Sequence, residues 1–195
     1  MQSMLMSNYV LFCRTPAPKN EEEMIERIKK RVDLGDPEAI FDTGNCYARG
    51  NYGLPQNCAK ALELWHQVAE LGHATAYFNI GAYCDTVTGV EVDKKKAKHY
   101  NELAAMQGHA MARHNLGCME HNVGNIERSI KHHMIAVGSG YNNSLKKIKE
   151  LYTEGNATKD DYMAALQAYQ TYLGEIRSVQ RDKAAADGDQ EYWWR

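Results

Sequence analysis

The chain has 195 residues, enough for one or two globular domains, and its 44% hydrophobic and 25% charged residues give the balance of a folded rather than a disordered protein. A net charge of −2 lacks the basic excess that a general nucleic-acid or anionic-membrane surface needs, and no window approaches the ~18 consecutive apolar residues of a membrane span. The five cysteines, Cys13, Cys46, Cys58, Cys84 and Cys118, are odd in number and form no Cys-x-x-Cys pair, which fits unpaired thiols in a reducing compartment.

Residues 1–20 read as irregular. The opening Met1 to Phe12 has no basic n-region and no clean cleavage site, so no signal peptide is expected. Pro16 and Pro18 then exclude a regular helix, because each removes a donor and restrains its predecessor. Asn20 is a candidate N-cap, with Glu21, Glu22 and Glu23 at the positive end of the helix dipole. Met24, Ile25, Ile28 and Val32 follow at helical spacing until Gly35, giving a lone helix over 21–35.

From there one phrase returns. Gly72-His73-Ala74 is followed by Ala76 to Gly81, and Gly108-His109-Ala110 by Ala112 to Gly117. Weaker copies start at Gly35-Asp36-Pro37 and Gly140-Tyr141-Asn142. The small residues that head the copies (Ala39, Ala76, Ala112, Ser144) are 37, 36 and 32 residues apart. Self-similarity at such a period marks stacked supersecondary units.

Each unit reads as a helix pair over 36–73, 74–109, 110–141 and, degenerate, 142–183. First helices are predicted to begin near Pro37, Thr75, Met111 and Asn143, and second helices after the N-cap types Asn57, Asp93, Asn125 and Thr158. Ala39, Gly44, Ala76, Gly81, Ala112 and Gly117 on the first helices, with Ala61, Ala69, Ala97 and Ala105 on the second, define faces where another backbone comes close. The third unit keeps only Val123-Gly124 between its helices, which explains the short last step. The last helix is expected from Lys159 to about Lys183. Residues 184–195 form a tail ending in Tyr192-Trp193-Trp194, read either as a frayed terminus or as an aromatic docking motif.

Ala-x-x-x-Leu-Gly in a first helix, Lys60-Ala61 and Lys96-Ala97 opening the second helices, and Ala-x-x-Gly-His-Ala at the junctions resemble the Sel1-like repeat, a relative of the tetratricopeptide repeat. The resemblance is clear over 36–140 and looser over 24–176. It implies an all-α, right-handed α-solenoid of antiparallel helix pairs that serves as a non-catalytic adaptor for other proteins. The third and fourth units depart from the pattern, with Ser129, Val137 and Lys149 where small residues are expected, so the binding groove is expected to be short.

Phe12-Cys13-Arg14 before the proline linker has a fainter resemblance to the last knuckle of a RING-type zinc module, truncated or degenerate here. A structural zinc site needs four ligands, and Cys13 has no cysteine or histidine before it. The alternative function this implies is the substrate-recruiting part of a RING-type ubiquitin-protein ligase.

If the first helices line the concave wall, as the resemblance implies, Phe41, Asn45, Phe78, Asp85, His114, Cys118, His121, Lys146 and Glu150 face inward. Asn79 and Asn115 are placed to hold a peptide backbone through their amides. The competing reading puts Phe41 and Phe78 in the core between neighbouring units. Of the eight histidines, His114, His121, His132 and His133 could converge in the third unit, but no spacing in the sequence names a ligand set. Ser144-x-x-Lys147 formally matches a Ser-x-x-Lys nucleophile pattern, yet Ser144 occupies a packing slot. Lys94-Lys95-Lys96 reads as a solvated surface. The expectation is therefore a cytoplasmic or nuclear monomer with a protein or peptide partner, no nucleic acid or membrane, no cofactor, no metal and no catalytic residue.

Overall fold

The computed structural model describes residues 20–86 and 93–176, and among them every regular element is a helix. In order these are α1 (Glu21–Asp33), α2 (Pro37–Arg49), α3 (Cys58–Ala69), α4 (Ala74–Thr86), α5 (Lys94–Met106), α6 (Ala110–Asn122), α7 (Ile126–Gly138), α8 (Asn142–Thr153) and α9 (Lys159–Ile176). The Cys13 segment, residues 87–92 and the Tyr192–Trp194 tail lie outside the described residues. The chain divides into two compact units, Met1–Ala76 and Tyr77–Arg195.

The recurring corners are helix-stop and helix-start signals fused together. Gly72 (φ 92°) and Gly108 (φ 83°) take the left-handed conformation that ends one helix without the penalty of a Cβ. The next residue caps the following helix: the Ala76 backbone N–H donates to His73 Nδ1 and the Ala112 N–H to His109 Nδ1, each at 3.2 Å. Asp36 does the same for α2 through the N–H of Glu38 at 3.0 Å. Helices α4, α6 and α8 consequently begin at Ala74, Ala110 and Asn142, one residue earlier than Thr75, Met111 and Asn143.

The second helices start where expected. Asn57 accepts from Lys60 N–H at 3.0 Å, and Asp93 accepts from Lys96 N–H at 2.9 Å. Thr158 and Asp161 cap each other reciprocally, with Thr158 N–H donating to Asp161 Oδ2 at 2.9 Å and Asp161 N–H to Thr158 Oγ1 at 3.1 Å. Asn125 stands at its cap position without a side-chain capping bond, and its amide nitrogen donates to Glu120 Oε2 at 2.9 Å.

In the first unit Ala39, Ile40, Ala61, Trp65 and Val68 are buried, and Trp65 lies over Gly44 so closely that a Cβ there would sit 2.7 Å from the indole nitrogen. In the second unit Ala104, Ala105, Ala112 and Leu116 form one core cluster and Val137, Ile148 and Ala165 another. The same seat recurs in that unit. Asn101 lies over Gly81 and His133 over Gly117, where a Cβ would come within 3.0 Å and 2.7 Å of them. Trp65, Asn101 and His133 each stand four residues beyond the small residue near the start of a second helix (Ala61, Ala97, Ser129), and all of those small residues are fully buried. The Ser129 and Val137 departures are absorbed into this interior, whereas Lys149, in the glycine slot of α8, is exposed.

Leucine at Gly81 must displace Asn101 and the Ala97 carbonyl, which lies 3.3 Å from the Cβ position. Gly81→Leu is expected to lower stability by about 1–3 kcal/mol or more, read from the urea unfolding midpoint.

Candidate functional site

The first-helix positions expected to face a partner are tied to the corners. Phe41 stacks on His73 with ring centroids 4.4 Å apart, in the first unit. Phe78 stacks on His109 at 4.6 Å in the second. In the third repeat the pair changes chemistry: His114 replaces the phenylalanine and meets Tyr141, the residue at the corner, edge-on at 5.1 Å. Each first-helix ring thus packs against the residue that starts the first helix of the following repeat, and Phe41, Phe78 and His114 all remain half-buried.

The amides divide between inner and outer roles. Asn115 Nδ2 donates to Asn101 Oδ1 at 3.3 Å, and Asn101 Nδ2 in turn donates to the Ala97 carbonyl at 2.8 Å. Asn45 is half-buried and hydrogen-bonds Asp42, whose carboxyl is pushed up by burial against the opposing influence of His73 and Asn45. Asn79 is half-buried, Lys146 and Glu150 are exposed, and His121 is half-buried; the side chain of Asp85 lies outside the described part. Lys94, Lys95 and Lys96 are exposed.

The second unit also brings together a group that the sequence scatters. His114 and Cys118 are four residues apart on α6 and share a face, with Cys118 Sγ 3.6 Å from His114 Nε2. His133 arrives from α7, its ring flat against Gly117 and 4.9 Å from the His114 ring. Ser144 Oγ, from α8, lies 2.9 Å from His114 Nδ1 and 3.3 Å from His133 Nδ1. Burial pushes the Cys118 thiol up, while burial and then the nearby Lys147 hold His114 below its usual value. His133, fully buried and close to His114 and Lys147, is driven down to about 3 and is neutral at physiological pH. Among the described residues, His114, Cys118 and His133 form the group whose donor atoms lie within 4.8 Å of one another. Cys118 and His114 were legible as a first-helix pair. His133 was legible as one of four histidines that could converge in this unit, whereas the place of Ser144 between two of the imidazoles was not.

Ser144 is fully buried, with its hydroxyl between two imidazoles, and Lys147 pairs with Glu150 at 3.2 Å. That hydroxyl is a packing and hydrogen-bonding group rather than an accessible nucleophile.

Antiparallel helix pairs joined by capped corners and seated glycine-to-side-chain define an all-α helical-repeat protein. Residues 37–73 and 74–109 match the Sel1 repeat, so the chain carries two tandem Sel1 repeats. Over 104 residues it is 27% identical to protein sel-1 homolog 2 of Homo sapiens, a stretch that is 53% of this chain and 15% of that relative's length. The chain thus spans a small part of the curated relative. Among solved structures it is similar to a Sel1 repeat protein from Oxalobacter formigenes (TM-score 0.70, 25% identity, 88% of this chain and 70% of that one). It is also similar to c5321, a protective antigen of uropathogenic Escherichia coli with an SLR fold (TM-score 0.64, 26% identity, 78% and 33%). Sel1-repeat proteins are generally protein-interaction scaffolds. No helix among the described residues is long and apolar enough to cross a membrane.

Proposed function

We propose that this chain is a non-catalytic adaptor that binds a protein or peptide partner along its first helices. The observation that carries the reading is the tandem Sel1 repeat at 37–109, whose first helices hold a half-exposed ring three residues before each helix glycine and a half-exposed amide close by. In the first unit these are Phe41 and Asn45. In the second unit they are Phe78 with Asn79 and His114 with Asn115, flanked by Cys118 and the exposed cation Lys146. A ring supplies apolar area at low entropic cost, and a side-chain amide both donates to and accepts from a peptide backbone.

The test is a quantitative affinity capture comparing the native chain with Asn79→Ala/Lys146→Glu, a variant that leaves the Phe78–His109 stack in place. Selective loss of at least one partner, with unchanged circular dichroism, is the expected outcome. Equal recovery of every partner contradicts the proposal.

A further inference from the structure

We propose that His114, Cys118 and His133 form a binding site for a zinc-class divalent cation, with Ser144 holding both imidazoles in the ligating tautomer. The donor set suits such an ion, since thiolate and imidazole nitrogen are the ligands that borderline divalent metals take, and three protein donors leave a fourth position for water or a partner's side chain. Donors bound tetrahedrally at the usual zinc–nitrogen and zinc–sulfur lengths stand about 3.6 Å apart. His114 Nε2 and Cys118 Sγ are already 3.6 Å apart. A ring nitrogen of His133 lies within 4.8 Å of donor atoms of the other two, and rotation of the His133 ring toward them closes the set.

Ser144 supplies the outer support. Its hydroxyl has two lone pairs and can accept from both Nδ1–H groups, at 2.9 and 3.3 Å. That arrangement leaves a lone pair on Nε2 of each ring, which is what a metal requires. In the metal-free chain the Cys118 S–H then donates to His114 Nε2, and its proton passes to solvent as the ion binds. A second observation points to a ligand. His133 is fully buried, and its Nε2 has no hydrogen-bond partner. A buried polar atom left unmatched is costly, and an ion at this place would match it. The site is particular to this repeat: His133 occupies the seat held by Trp65 and Asn101 elsewhere, and His114 the place of Phe41 and Phe78.

Cobalt(II) is the probe, titrated into the reduced, metal-stripped full chain with Cys46 and Cys58 left in place. The expected result is a saturable one-to-one signal with a thiolate-to-cobalt charge-transfer band and tetrahedral d–d bands, displaced by zinc(II). Cys118→Ser abolishes the charge-transfer band. Ser144→Ala, which installs the residue found at this slot in the other repeats, weakens binding about 10- to 100-fold in a chain of native circular dichroism. Absence of a saturable band, or a band that survives Cys118→Ser in a chain of native circular dichroism, overturns the proposal. An unchanged affinity in Ser144→Ala overturns the positioning role.

Discussion

Trp65→Ala is expected to lower the stability of the first unit by about 3–5 kcal/mol, the range for emptying a large aromatic site in a packed interior. Trp65 is 2% exposed, and its indole covers Gly44, where the opposite wall offers no side chain to fill the void. The same geometry predicts the sign of a second substitution. In the native background Gly44→Ala places a Cβ 2.7 Å from a rigid ring and destabilises. In the Trp65→Ala background the same methyl enters free space and is neutral or favourable. A double-mutant cycle by urea unfolding should therefore return a coupling larger than ~0.5 kcal/mol, and additive effects would contradict the seat. Because repeats are coupled mainly to their neighbours, amide exchange should accelerate first in α2 and α3.

Lys98→Met should cost about 1.5 kcal/mol, the low end for a hydrogen bond to a charged group, because its own side chain is 41% exposed. The cost arises at the partner: Glu120 is 2% exposed, with Lys98 Nζ at 2.7 Å and the Asn125 amide at 2.9 Å. Removing Lys98 takes the nearest cation from a buried carboxylate, and the cost stays moderate because Arg128, at 3.6 Å, and Asn125 remain. The hydrogen bonds from Lys98 and Asn125 hold the Glu120 carboxyl below its ordinary value of 4.5. A depressed folded pKa means that the unfolded chain binds the proton more readily, so this contribution is complete above about pH 4.5 and is lost as pH falls through the folded value. The thermal midpoint of the native chain should drop over that window, and in Lys98→Met the drop should be shallower. Parallel profiles for the two chains would show that Glu120 is not held by Lys98.

The repeat was open to reading because its demands are local. Gly72 and Gly108 must adopt positive φ, His73 and His109 must cap, and Ala39, Ala76 and Ala112 must be small, so each leaves a fixed offset in the sequence. Why histidine stands at the corner was not open to reading. It acts twice, as an Nδ1 cap and as the plate on which Phe41 or Phe78 stacks, and the stack joins residues about 30 apart. Buried polar residues were hidden for a related reason. Glu120 and Asn101 look like ordinary surface residues until the helix that satisfies each one is known, and Ser144 reads as packing without its hydrogen bonds. His133 sits beside His132 in a doublet with no ligand spacing, and only the packing of α7 on α6 and α8 gives it Cys118, His114 and Ser144 as neighbours.

The most direct check on the account is a nuclear Overhauser spectrum of the isotope-labelled chain, read at the three first-helix glycines. The seat predicts cross-peaks from the Gly44 α-protons to the Trp65 indole, from Gly81 to the Asn101 amide and from Gly117 to the His133 ring, with the Gly44 α-protons shifted by ring current. Glycine α-protons at random-coil shifts, without these cross-peaks in a chain that is otherwise helical, would contradict the pairing of first and second helices on which every other statement here rests.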